Sequence, residues 1–89
     1  MKTIRIIVTG KVQGVYYRAS AKNMADKLGI TGWVKNLPDR NVEIHASASE
    51  TSLGKFIAWC WQGPPGAEVK EVVTEVIPDE RFTDFRIKR

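Results

Sequence analysis

The sequence predicts an α+β sandwich, an antiparallel sheet covered on one face by two helices. Two observations carry this. Segments that alternate apolar and polar residues, and segments with apolar residues at three- and four-residue spacing, succeed one another as β-α-β-β-α-β with a short extra C-terminal strand. A hairpin then separates the two helical segments, which is the order of the ferredoxin-like arrangement. A chain of 89 residues has no room for a second core, so residues 1–89 read as a single domain.

Each element has its own signal. Thr3 to Thr9 alternates, with Ile4, Ile6 and Val8 on one side, as a half-buried strand does. Ala21, Met24, Ala25 and Leu28 form a helical stripe from about Arg18 to Leu28, and Gly29 suits the position just past the helix end. Ile30 to Asn36 is strand-like, Leu37-Pro38-Asp39-Arg40-Asn41 has turn chemistry, and Val42 to Ala46 alternates again and closes a hairpin. Ser49 is placed as an N-cap for a second helix, whose stripe is Leu53, Phe56, Ile57 and Cys60. Gly63-Pro64-Pro65-Gly66 stops that helix. Val69 to Ile77 reads as a fourth strand, and Phe82 to Ile87 as a short last one after Pro78-Asp79.

Composition excludes several classes of function. The one cysteine, Cys60, cannot form an internal disulfide, and one His with one Cys makes a multi-ligand N/S metal site implausible. Cys60 continues an apolar stripe and reads as a buried thiol. There is no run of 18 apolar residues, so no membrane span is expected, and the charged start Met1-Lys2-Thr3-Ile4-Arg5 is unlike a signal peptide. A cytoplasmic protein is the expectation. The net charge of +4 is uneven: residues 1–45 hold eight Lys/Arg against Asp26, Asp39 and Glu43, while residues 46–89 hold six against seven acids. The basic half suits an anionic ligand, and suits nucleic acid as well.

The basic half also carries the most telling stretch, Gly10-Lys11-Val12-Gln13-Gly14-Val15-Tyr16-Tyr17-Arg18. It joins a strand end to a helix start. Backbone N–H groups at a helix start lack intrahelical partners and, with the helix dipole, form an anion site. Arg18 adds a permanent charge whose fork matches two phosphate oxygens. The same residues also fit ordinary turn glycines and a solvated arginine. The nucleotide P-loop ending Gly-Lys-Ser/Thr is missing, as is the third glycine of the dinucleotide fingerprint.

That stretch, with Gly32-Trp33-Val34-Lys35-Asn36 downstream, resembles the two motifs of the acylphosphatases. The resemblance covers nearly the whole chain. Leu53, Phe56, Gly63-Pro64, Ala67 and the ending Phe85-Arg86-Ile87-Lys88-Arg89 fall in the family's order. It implies a ferredoxin-like sandwich that hydrolyses the carboxyl–phosphate bond of acyl phosphates without metal or cofactor. It further implies that Arg18 clamps the phosphate and Asn36 orients the nucleophilic water. The backbone amides of Gln13, Gly14, Val15, Tyr16 and Tyr17 would cradle the phosphate oxygens. Three positions depart from the family pattern. Tyr16 stands where glycine or another residue is often found, Tyr17 replaces the commoner phenylalanine and adds a hydroxyl that needs a partner if buried, and Arg40 occupies a turn position where glycine is usual.

Other residues have blander readings. Asn36 by itself would be a strand-end turn residue. His45 has no Ser or Cys partner in view and reads as structural. Trp59 and Trp61 fit the edge of a core or an aromatic face for a partner, and Glu68, Glu71 and Glu75 fit a solvated strand face. Two rival functions are an RNA-binding module of the same element order and a non-catalytic domain that binds acyl or carbamoyl phosphate. The first lacks the aromatic pattern in its third strand that base stacking requires. Arg18 and Asn36 together favour the enzyme over the second. The expected partner is a small acyl phosphate such as acetyl phosphate, carbamoyl phosphate or the acyl phosphate of bisphosphoglycerate. No nucleic acid or membrane partner is expected, and the expected state is a monomer.

Overall fold

The computed structural model describes residues 1–88. Its elements are β1 (Lys2–Lys11), α1 (Tyr17–Leu28), β2 (Thr31–Asn36), β3 (Val42–Ala48), α2 (Glu50–Gln62), β4 (Glu68–Ile77) and β5 (Phe85–Ile87). The ferredoxin-like order predicted from the sequence is therefore present. The strands form one sheet in the order β4-β1-β3-β2-β5. β1 pairs antiparallel with β3 and β4, and β2 antiparallel with β3.

The last strand differs from expectation in length and direction. It is three residues rather than Phe82 to Ile87, and it pairs parallel to β2. The cause is topological. β4 ends on one edge of the sheet and β5 lies on the other, so residues 78–84 are spent on the crossing. On the way the Glu80 N–H donates to Thr3 Oγ1 at 3.4 Å, and the Gly32 N–H donates to the Asp84 carbonyl at 2.9 Å. A strand that crosses a whole sheet before pairing can return parallel to its new neighbour, which a hairpin cannot do. The Lys88 N–H then donates to the Val34 carbonyl, extending this edge, while Arg89 lies outside the described residues.

Helix ends follow local chemistry. Ser49 caps α2 by accepting from the Ser52 N–H at 3.2 Å. α1 ends at Gly29, at φ 70°, where the Ile30 N–H reaches the Ala25 carbonyl and the Gly29 N–H that of Asp26. This is the paired bonding of a Schellman end, which favours glycine for its left-handed φ.

The core lies between one face of the sheet and the helices. Ile4, Ile6 and Val8 of β1, Val34 of β2, and Val42, Ile44 and Ala46 of β3 meet Tyr17, Ala21 and Ala25 of α1 and Leu53, Phe56 and Cys60 of α2. Burying side chains of Val, Ile, Leu or Phe size stabilises the fold by roughly 1.5–3 kcal/mol each. Phe85 of β5 closes the core edge-on against Phe56, with ring centroids 6.1 Å apart. The thiol of Cys60 is fully buried, and that burial pushes its pKa up to about 12, so it is not a nucleophile at neutral pH.

The opposite face of the sheet carries an ion-pair network beside Ile7, Trp33 and Val73. Glu43 receives Arg5 Nε at 2.7 Å, Lys35 Nζ at 3.7 Å and His45 Nε2 at 3.3 Å. His45 Nδ1 meets Glu80 on the crossing segment at 2.9 Å, and its ring stacks on Trp33 with centroids 4.1 Å apart. His45 thus serves this network, as its lack of a nucleophilic partner suggested. Glu68 and Glu71 are solvated on β4, and Glu75 reaches Arg5 at 3.0 Å.

Candidate active site

The direction of the strands brings the singled-out residues to one end of the sheet. β1, β2 and β5 all run the same way, since β1 and β2 are both antiparallel to β3 and β5 is parallel to β2. The C-terminal ends of these three strands and the start of α1 therefore meet. Between them lies a cavity of about 490 Å³, lined by Gln13, Gly14, Tyr16, Tyr17, Arg18 and Asn36, with Ile87 of β5 on its wall.

The loop after β1 is shaped for an anion. Gly14 has φ 75°, the left-handed region that favours glycine. Tyr16, the N-cap of α1, is also left-handed at φ 64° and ψ 25°, and no side chain caps the helix. The first helical hydrogen bond runs from the Ser20 N–H to the Tyr16 carbonyl. The N–H groups of the first turn are thus available to a ligand, and that turn has no acidic residue to repel one.

Arg18 lies on the second residue of α1. Its hydrogen bond among the described residues is a long one, 3.5 Å from Nη1 to the Lys88 carbonyl. Asn36 ends β2. Its Oδ1 is buried and has no hydrogen-bond partner among the described residues. A buried amide oxygen without a partner costs about 1–3 kcal/mol.

Gln13 of the loop and Tyr17 at the start of α1 also hold this region in place. Gln13 Nε2 donates to the carbonyls of Leu37 and Asn41, each at 2.9 Å, and so ties the loop to the turn that follows Asn36. Sequence reasoning placed Gln13 in the site through its main chain. The amide side chain as a brace between loop and turn had no local signal, because its partners are backbone carbonyls more than 20 residues away. Tyr17 is buried, packs its ring tilted against Trp59 with centroids 5.2 Å apart, and donates its hydroxyl to the Cys60 carbonyl at 2.8 Å. The added hydroxyl thus has its partner at the end of α2, and burial raises its pKa well above the ordinary phenol range. Trp59 belongs to the core edge, whereas Trp61 is half exposed. Val15, also expected in the cradle, packs its side chain against the core near Gly66. Ile87 is a lining residue that periodicity did not single out.

The turn after Asn36 carries the strain its sequence suggested. Arg40 has φ 74°. Asp39 steadies the turn by accepting from the Asn41 N–H at 3.1 Å, and the Leu37 N–H closes it on the Asn41 carbonyl at 2.8 Å. Among the described residues, no group of three or more His, Cys, Asp or Glu is placed to hold a metal ion.

Residues 4–87 match the family model described as Acylphosphatase. A protein described as acylphosphatase from Methylococcus capsulatus is 47% identical over 90 residues, covering 100% of this chain and 98% of that one. One from Marinobacter nauticus is 51% identical over 82 residues, 91% of this chain and 89% of its own. The crystal structure of acylphosphatase from Bacillus subtilis superposes with a TM-score of 0.97 at 37% identity, over 100% of both chains.

Proposed function

The chain belongs to the acylphosphatase family, and we propose from that premise how its own residues hydrolyse an acyl phosphate. The reaction cleaves the carboxyl–phosphate bond and releases a carboxylate and inorganic phosphate. A carboxylate leaves with little or no proton donation, so the enzyme needs few parts. It must hold the dianion, place a water in line and stabilise charge on the equatorial oxygens.

Arg18 clamps the phosphate with its guanidinium. The amides of Gln13 to Tyr17 surround the remaining oxygens at the uncapped start of α1. Asn36 orients the attacking water through its side-chain amide. A neutral amide suits this task, because a carboxylate so placed would repel the substrate. The amide is too weak a base to take the proton, which passes to a phosphate oxygen of the substrate. The observation that carries this reading is the meeting of Arg18, the open helix start and Asn36 in one cavity.

This reading takes the enzyme as a monomer folded as one domain over residues 1–89. Among the described residues no helix is long and apolar enough to cross a membrane. The same reading takes the enzyme as cytoplasmic, with a small acyl phosphate and not nucleic acid as its partner.

The test is hydrolysis of benzoyl phosphate by purified protein with EDTA present. Wild type is expected to turn over, and Arg18→Ala to lose at least about 100-fold in kcat/KM through both constants. A folded wild type that releases no phosphate would move the cavity to a binding role.

A further inference from the structure

We infer that Gln13 is a positioning residue for the hydrolysis: its side chain holds the turn after β2 at a fixed place against the phosphate loop, and so sets where Asn36 stands over the bound phosphate. The inference rests on the roles of Arg18, the loop amides and Asn36 proposed above.

Asn36 stands where its own strand supports it least. It is the last residue of β2, and its pairing with Val42 is the last of the β2–β3 ladder. Beyond it the chain makes a turn over residues 37–41, in which Pro38, Asp39 and Arg40 are exposed. The turn closes on itself. The Leu37 N–H donates to the Asn41 carbonyl, the Arg40 N–H to the Leu37 carbonyl, and Asn41 to the Asp39 carboxylate. Such a ladder end, with an exposed turn beyond it, opens at little cost unless something outside holds it. The turn and the phosphate loop face each other across a cleft of about 650 Å³.

Gln13 spans that gap. Among the described residues, the hydrogen bonds that reach the turn from elsewhere are the two from Gln13 Nε2, to the Leu37 and Asn41 carbonyls at 2.9 Å each. Leu37 follows Asn36 and Asn41 precedes Val42, so one amide grips both stems of the hairpin next to its last pair. Both N–H donors of that amide are used. The loop is fastened separately. Val12 before Gln13 and Tyr17 after it are buried, and the Tyr17 hydroxyl is bonded to the Cys60 carbonyl. The loop is therefore the fixed side of the brace and the turn is the side that is placed. Gln13 and Asn36 border the same cavity. A shift of Asn36 against the cradle misplaces the water while the phosphate stays held, and small misplacements of a reacting group are costly in rate.

The experiment measures kcat, KM and the inhibition constant of inorganic phosphate, with benzoyl phosphate as substrate. It compares wild type, Gln13→Met, Gln13→Ala, Asn36→Ala and the double variant Gln13→Met with Asn36→Ala, with melting temperatures as the check on folding. Methionine keeps the length of the arm and lacks its donors. Gln13→Met should lower kcat about tenfold and leave KM and the phosphate constant within about twofold of wild type. Gln13→Ala, which removes the arm, should show the same split. In the Asn36→Ala background the Gln13→Met change should cost less than about twofold in kcat, because the group it positions is gone. A purely structural role would lower the melting temperature and cost the same factor in both backgrounds. That result, an unaltered kcat in Gln13→Met, or a loss confined to KM and the phosphate constant would overturn the brace and leave the roles of Arg18 and Asn36 standing. Wild-type kcat in Asn36→Ala would overturn both.

Discussion

Asn36 and Arg40 sit four residues apart and carry costs of different kinds. The unpartnered Oδ1 of Asn36 is an electrostatic cost, a buried acceptor left without a donor at the end of β2. The φ of 74° at Arg40 is a conformational cost in the turn beside it. For a residue with a Cβ the left-handed region costs about 1–2 kcal/mol. Glycine would remove that cost while adding about 0.5–1 kcal/mol of chain entropy to the unfolded state. Arg40→Gly is therefore expected to raise stability by about 0.5–1 kcal/mol, measured by urea denaturation. A loss of stability would mean that the arginine side chain makes a contact worth more than the strain. Both residues stood out in the sequence, Asn36 at the end of a motif and Arg40 as a departure from the family's turn. Their geometry could not be read there, because a φ value and an orphan oxygen depend on what surrounds them.

At the scale of elements, the order of strands and helices was legible because each has a local cause. Alternation marks β1 and β3, an i, i+3, i+4, i+7 stripe marks α2, Ser49 begins that helix, and Gly29 ends α1. β5 was the exception. A run of three residues is too short to show a period, and its parallel pairing with β2 follows from the crossing of residues 78–84. Nothing local in Phe82 to Ile87 encodes that crossing. The consequence reaches the site, since β5 delivers Ile87 to the cavity wall and the Lys88 carbonyl to Arg18. The Gln13 brace was hidden for a similar reason. Its two carbonyl partners are brought close only when β1 and β2 flank β3.

Across the whole molecule the sheet separates two kinds of chemistry. One face packs the apolar core, the other carries the network around Glu43, and the site lies at the end of the strands. Burial alone would raise the Glu43 carboxyl, but Arg5, followed by His45 and Lys35, outweighs burial and holds it below its ordinary value of 4.5. A carboxylate with a depressed folded pKa contributes stability above the unfolded pKa. That contribution is lost as pH falls through the folded pKa. Glu43→Gln leaves Arg5 and Lys35 facing a neutral amide and should cost about 1–3 kcal/mol at neutral pH. The gap to wild type should narrow in acid below the carboxylate range, as read by urea midpoints along a pH series. A gap independent of pH would show that the charge of Glu43 contributes nothing. Because this network is on the face and not at the strand ends, the variant should keep its turnover.

The measurement that tests the central claim most directly is the steady-state kinetics of Asn36→Ala on benzoyl phosphate, with inorganic phosphate as competing inhibitor. If Arg18 and the loop amides hold the phosphate while Asn36 only places the water, kcat falls about 100- to 1,000-fold. KM and the phosphate inhibition constant then stay within about twofold of wild type. A preserved kcat, or a loss confined to KM, would contradict the assignment and return Asn36 to the role of a strand-end residue.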